Sequence, residues 1–198
     1  MLWGGTQDKI DAFQSAVVAG YGSTILGFNE SVFLFSGSNM SPQSAAALWK
    51  QYIQPKKALG YKLLTPAMSS RPNGNQWMTD FIAACDGCTF DGQAVHWYDI
   101  GADKLQSYLT TYYNQLHLPI YLTEYADQNF NGGAQATLDE VFTFQEQITK
   151  WMDETDWIHA YCPFGAMHDL QGVNTANSLM NSDGSPSDLG YLIINDAE

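Results

Sequence analysis

The sequence predicts an α/β fold built around a parallel sheet, and three observations carry that expectation. Short apolar, β-branched runs alternate along the whole chain with longer stretches of helical periodicity. The strand–helix unit recurs at roughly 30 residues, the length of a strand with its crossover helix. Several strand runs end in polar or ionisable groups, which is where parallel sheets carry their chemistry. On these grounds alone the sheet is either a β/α barrel or a doubly wound open sheet. Neither G-x-G-x-x-G nor G-x-x-x-x-G-K-[ST] occurs, so a nucleotide site has no support.

The elements follow in order. Leu2-Trp3 has the character of a strand tail. Thr6 or Asp8 can cap a helix running to about Ala19. Thr24 to Phe28 is the next strand. Residues 31–41 are a loop with four apolar side chains, Val32, Phe33, Leu34 and Phe35. Phe33 and Phe35 suit either ligand-stacking platforms or loop packing. Ser41 is an N-cap and Pro42 fits the first turn of a helix bearing Ala45, Ala46, Leu48, Trp49, Tyr52 and Ile53. Pro55 kinks or closes that helix, and Gly60 ends the segment. Tyr61 to Thr65 is a strand, 69–75 a Pro/Gly/Asn loop, and Gln76 to Ala84 a helix. The next strand is Gln93 to Tyr98, followed by a helix from Ala102 to about Gln115. The strand Ile120–Thr123 opens after Pro119. Thr137 to Asp153 is a helix whose apolar side includes Trp151, expected in the core like Trp49. His159 to Phe164 is the last strand, an irregular stretch runs from Asp169 to Ser187, and a terminal segment lies near Leu189 to Ile194. This gives six strands, beginning partway through one, with no internal repeat or linker, so residues 1–198 are expected to form a single domain.

Composition narrows the partners. The formal charge is -13, from 21 acidic and 8 basic residues. Phosphate contacts need Lys and Arg, so nucleic acid and an anionic membrane are not expected partners. No apolar run approaches the ~18 residues of a membrane span, and the opening Met1-Leu2-Trp3-Gly4-Gly5 lacks the basic start and apolar centre of a signal peptide. Cys85 and Cys88 form C-x-x-C, open to a local disulfide, a redox motif, a zinc half-site or two free thiols. A zinc site needs two further ligands at suitable spacing, which the four scattered His do not offer, so no metal and no cofactor is expected.

The chemistry is expected at Pro119-Ile120-Tyr121-Leu122-Thr123-Glu124-Tyr125-Ala126. A carboxylate arrives as a buried run ends, where an ionisable group is costly unless used or paired. Thr24-Ile25-Leu26-Gly27-Phe28-Asn29-Glu30 has the same form. Two strands ending in Glu suggest two carboxylates facing one cleft. Glycosidic cleavage needs such a pair without metal or cofactor. At ~5–5.5 Å one attacks the sugar carbon, and at ~6.5–9.5 Å it directs water. The acid of the pair must stay protonated near neutral pH, through burial or its neighbour's charge. Sugar rings have apolar faces, so Trp97, Tyr98, Tyr125, Phe130 and Trp3 are candidate platforms, and Asn29 can hydrogen-bond a sugar hydroxyl. His96 is a further substrate-contact candidate, although a lone histidine of this kind is more often a hydrogen-bonded core residue.

Longer segments carry a resemblance. LGFNE at 26–30, SNMSPQSAAALWKQYIQPKKALGYKLLTPA at 38–67, WMTDFIAACDGCTFDGQAVHWY at 77–98, PIYLTEYADQNF at 119–130 and FGAMHDLQGVNTANSLMNSDGSPSDLGYLIIN at 164–195 span nearly the whole chain. Together they resemble glycoside hydrolase family 128, the fungal glycosyl hydrolase catalytic core group. The resemblance implies a (β/α)8 barrel of the TIM type and retaining cleavage of β-1,3-glucan. It implies Glu30 as acid/base, Glu124 as nucleophile, and His96, Trp97 and Tyr98 together on the sixth barrel strand. Leu2-Trp3 then ends the third strand, so this chain would carry strands three to eight. The same resemblance implies an extracellular or cell-wall protein, a monomer, with a β-glucan as partner. Three positions depart from the family pattern. Ser31 replaces Pro in N-E-P, making Asn29-Glu30-Ser31 a formal glycosylation sequon beside a second one, Asn39-Met40-Ser41. Cys162-Pro163 precedes Phe164 where Trp is usual, which bears on sugar stacking and on turnover. Asp127 stands where Cys is common.

Overall fold

A computed structural model describes residues 1–31 and 38–195; Phe33 and Phe35, which suit a platform or loop packing alike, lie outside them. The chain divides into two units, Met1–His96 with Leu118–Tyr121, and Trp97–His117 with Leu122–Glu198.

In the first unit, α1 (Gln7–Ala16) buries Ile10 and Phe13, three residues apart on one helix face. It stops before the expected Ala19, and the chain turns at Gly20 with φ +80°. β1 (Thr24–Ile25) pairs in parallel with β2 (Lys62–Leu63), Thr24 opposite Lys62 and Ile25 opposite Leu63. Both strands are shorter than the sequence suggests, and Pro66 explains why. It has no N–H to offer a ladder, and a Cβ on Gly27 would lie 2.7 Å from its nitrogen. Pairing resumes one residue later. The Ala67 N–H donates to Phe28 O at 2.9 Å, and the Glu30 N–H donates to Ala67 O at 2.9 Å.

α2 (Pro42–Leu48) starts as its sequence predicts, with the Ser44 N–H donating to Ser41 Oγ at 3.1 Å. The helix outlasts Pro55 by changing pitch. A proline in α register loses a backbone bond and clashes with the preceding turn. The chain widens to a π turn over Trp49–Ile53, then tightens to 3-10 turns over Gln54–Leu59, ending at left-handed Gly60. α3 (Pro72–Ala84) begins earlier than expected: the Pro/Gly/Asn stretch is its first turn rather than a loop. α2 packs against α3. Fully buried Trp49 fills the core between them, with ring centroids 5.8 Å from Phe81, 5.0 Å from Phe90 and 6.5 Å from Phe28. Cys85 and Cys88 form a disulfide where α3 ends, and Cys162 is free.

The second unit continues β3 (Gln93–Asp99) through α4 (Ala102–Leu116), β4 (Ile120–Asp127), α5 (Leu138–Asp153) and β5 (Ile158–Pro163). The sheet order is β3-β4-β5, and a helix joins each neighbouring pair, the crossover that parallel strands require. Gln93–His96 and Ile120–Tyr121 belong with the first unit. α4 buries Leu105, Leu109 and Tyr112, and α5 buries Val141, Phe144, Ile148 and Met152. α5 opens with a capping box: the Thr137 side chain accepts the Glu140 N–H, and Glu140 Oε2 accepts the Thr137 N–H at 2.7 Å. Trp151, expected in the core, is half-buried, its ring 5.6 Å from Trp157, which stacks on Tyr113 at 4.6 Å. After β5 a 3-10 turn (Thr175–Asn177) and α6 (Asp188–Asn195) complete the described chain. Among the described residues no helix is long and apolar enough to cross a membrane.

Candidate active site

Each unit carries one of the two candidate carboxylates. In the first, Glu30 follows the pairing that resumes beyond Pro66. Asn29 bridges Ala67 in parallel, and its N–H donates to Trp3 O at 3.0 Å. Its carbonyl accepts the Ser38 N–H at 2.8 Å. These bonds hold Glu30 in a left-handed backbone, φ +35°, which a residue with a Cβ adopts only when its surroundings impose it. The side chain is 12% exposed and one oxygen lies 3.2 Å from Nδ1 of buried His96. The His96 N–H donates to Met68 O at 2.9 Å, fixing the ring's Cα beside the end of the 62–68 segment. Which of the two donates in this hydrogen bond depends on the tautomer of the ring. The four candidates Trp3, Asn29, Glu30 and His96 are thus tied together by backbone or side-chain bonds. Trp3 is 38% exposed, with Lys9 Nζ 5.9 Å from its ring centroid.

In the second unit, Glu124 lies inside β4, three residues before its end, rather than just past the strand as the sequence suggests. Tyr98 Oη donates to Glu124 Oε2 at 2.8 Å. Parallel β3 and β4 are neighbours, so side chains on the same face of the two strands can meet. The Tyr98 ring meets Phe130 at 5.5 Å and Phe164 at 5.9 Å, both edge-on. Phe130 is 45% exposed, an aromatic face in water beside a carboxylate. Phe164, within the F-G-A-M segment, was not singled out by sequence. Its N–H donates to Tyr125 O at 2.8 Å, which brings its ring onto Tyr98.

Trp97 and Tyr125 take a different place from the one their neighbours suggest. Both are buried, Trp97 stacked on Phe144 at 5.6 Å and Tyr125 donating its hydroxyl to Gln145 Oε1 at 3.0 Å. Their rings pack on α5, because successive residues of a strand point to opposite faces. The residue pairs Trp97/Tyr98 and Glu124/Tyr125 therefore each split between core and site.

At the end of β4, Asp127 is buried and accepts the Gly101 N–H at 2.9 Å, while the Asp127 N–H donates to Asn177 Oδ1 at 3.0 Å. Burial raises its carboxyl above the usual carboxylate range; the charges of Glu140 and Asp99 act the same way, and the Gly101 N–H and Lys104 oppose them. Cys162 sits exposed on β5, its thiol pushed up by desolvation of the sulfur, so little thiolate forms there. No group of three or more His, Cys, Asp or Glu suited to a metal occurs among the described residues.

This is an α/β protein with carboxylates, aromatics and an imidazole toward the ends of its strands. The family model described as "Glycosyl hydrolase catalytic core" matches residues 1–192. The chain is 35% identical over 184 residues to alkali-sensitive linkage protein 1 of Schizosaccharomyces pombe, covering 91% of this chain but only 34% of that protein. It is also similar to a solved exo-β-1,3-glucanase of glycoside hydrolase family 128, subgroup V, from Cryptococcus neoformans. There the identity is 34% and the TM-score 0.77, over 85% of this chain and 67% of that one. A subgroup I endo-β-1,3-glucanase from Amycolatopsis mediterranei, solved with laminaripentaose, gives 30% identity and a TM-score of 0.78, over 96% and 78%. The chain belongs to the glycosyl hydrolase catalytic core family, within glycoside hydrolase family 128.

Proposed function

We propose that this chain is a retaining β-1,3-glucan hydrolase, with Glu124 the nucleophile and Glu30 the acid/base. The observation that carries the reading is the Tyr98–Glu124 hydrogen bond beside exposed Phe130. It fixes the rotation of a carboxylate next to an aromatic face on which a sugar can stack. Glu124 attacks the anomeric carbon, and Glu30 delivers its proton to the leaving oxygen. Glu30 then takes a proton from the water that releases the sugar. His96 holds the Glu30 carboxyl in place, and Asn29, Trp3 and Phe130 contact neighbouring sugar hydroxyls and faces. The reading requires both carboxylates to act on one glucosyl ring, within a barrel of the family's kind. The same family supports an extracellular or cell-wall setting, a monomeric protein and a β-glucan as partner.

Azide tests the two roles separately. Glu124→Ala with an activated aryl β-glucoside and azide should release the α-glycosyl azide, because azide enters the space the carboxylate leaves. Glu30→Ala should release the β-glycosyl azide, because azide then replaces the base-activated water. The same anomer from both variants, or undiminished laminarin cleavage in either, overturns the assignment.

A second reading is favoured by Cys162 and Pro163 on β5, where the resemblance leads one to expect a stacking Trp. It makes the chain a glucan-binding protein without turnover. Retention on insoluble β-1,3-glucan, with no new reducing ends over long incubation, would select it.

A further inference from the structure

The two sequons lie close in sequence but differ sharply in setting. Asn29 is locked into backbone pairing on both sides, through Trp3 O and the Ser38 N–H. Its sequon hydroxyl belongs to Ser31, which is 1% exposed and has its Oγ 2.9 Å from Ser38 Oγ. The residue between them is Glu30. Asn39 is exposed and holds a left-handed backbone, φ +44°, a conformation that Asn tolerates better than most residues. Both of its chain neighbours are fastened. The Ser38 N–H donates to Asn29 O at 2.8 Å and the Met40 N–H to Ser31 O at 2.9 Å. Trp77 Nε1–H donates to Met40 O at 2.7 Å, and the Met40 side chain packs against the aromatic core. With its neighbours turned inward, the Asn39 amide is left facing water. Independently, the Cys85–Cys88 disulfide belongs to an oxidising compartment such as the secretory pathway.

We propose that Asn39 carries an N-linked glycan in the folded protein and that Asn29 does not. The donor is a lipid diphosphate-linked oligosaccharide, supplied with its transferase by the secretory pathway. The Asn39 Nδ2 forms a bond to the anomeric carbon, the bond from that carbon to the diphosphate breaks, and the amide proton passes to a base of the transferase. The leaving group is the lipid diphosphate. A chain modified at Asn29 cannot close the pairing around residues 29–31, so it is lost from the folded pool. The glycan therefore stands between two residues, Ser38 and Met40, that are bonded to both neighbours of Glu30, outside the pairing that holds Glu30 itself.

The test sends the 198-residue chain through a yeast secretory pathway behind a cleavable leader. Enzymatic deglycosylation in heavy-oxygen water marks each formerly occupied Asn, and peptide mass spectrometry reads the marks in both microsomal and secreted pools. Asn39 should be marked in both pools, and Asn29 should be unmarked in the secreted one. Ser41→Thr should keep the Asn39 mark. Ser41→Asp should abolish it while retaining a helix cap, so a folding defect is not confused with loss of the sequon. An unmarked Asn39 in the microsomal pool, or a marked Asn29 in the secreted pool, overturns the proposal.

Discussion

Glu124 stands inside an eight-residue strand with three strand residues beyond it, whereas Glu30 follows a strand of two residues and holds a left-handed backbone. In β4 the ladder sets the Cα position, and Tyr98 has only to fix a side-chain rotation. At Glu30 the backbone itself departs from the sheet, and bonds from Ala67, Ser38 and Trp3 around it impose the conformation. One carboxylate is placed by regular structure and the other by a local cage. The two should therefore respond differently to the same kind of change.

The largest separation is expected in activity. Removing either carboxylate should lower laminarin hydrolysis by about 10²–10⁴-fold, the usual worth of a positioned acid or base. Tyr98→Phe removes one bond to a charged group, worth about 1.5–3 kcal/mol. If the bond acts fully in the transition state, kcat/KM falls roughly ten- to 150-fold, while circular dichroism should show the fold intact. An unaltered kcat/KM would mean that Glu124 is oriented without this bond.

Stability should fall most at the aromatic core on the Glu30 side. Phe28, the residue before Asn29, packs on Trp49. Trp49→Ala should cost about 3–5 kcal/mol, as for other large-to-small changes in a closed core. Urea unfolding would measure it, and a loss below about 1 kcal/mol would show that Glu30's cage does not depend on that core.

A smaller effect tests the cage directly. Gly suits a positive φ but weakens an extended strand. Relative to wild type, Glu124→Gly should be less stable than Glu30→Gly by about 1–2 kcal/mol, although both lose a hydrogen-bonded carboxylate. Equal losses would imply that Glu30 is unstrained.

The difference between the two sites also marks what a sequence can reveal. Ser41-Pro42 was legible because capping is local chemistry, complete within four residues. The shortness of β1 was not, because its cause, Pro66, lies on the neighbouring segment. Pro72-Asn73-Gly74-Asn75 has the composition of a turn, yet Pro is tolerated in a first helical turn and α3 begins there. Glu124, Tyr98 and Phe130 were visible as residue types near strand ends. Which of Trp97 and Tyr98 faces the site was not, since a strand covered on both sides shows no clean alternation. The Tyr98–Glu124 and His96–Glu30 partnerships depend on which strands lie side by side, and no local pattern encodes that. The disulfide was one of several readings of C-x-x-C, and only the geometry at the end of α3 selected it.

The smallest expected effect concerns a third carboxylate, Asp127, which ends β4 three residues after Glu124. Its raised pKa means that the folded chain holds the Asp127 proton to a higher pH than the unfolded chain, whose Asp titrates near ~3.9. The stability this group contributes is thus full below the unfolded value and is lost as pH rises through the folded value. At neutral pH an ionised Asp127 weakens the fold, because burial, Glu140 and Asp99 outweigh the Gly101 N–H and Lys104. Asp127→Asn has nearly the same shape, and its amide oxygen can still accept the Gly101 N–H. The variant should be at least as stable as wild type at neutral pH, and wild type should close the gap as the pH is lowered toward ~4. Paired urea titrations across that range isolate the effect. Asp183, whose carboxyl is held low by hydrogen bonds to Ser185 and which is not among the charges acting on Asp127, loses stability in acid in both proteins, so its contribution cancels in the difference. A gap that does not change with pH, or a variant weaker than wild type at neutral pH, would place the Gly101 bond rather than the buried charge in control of this end of β4.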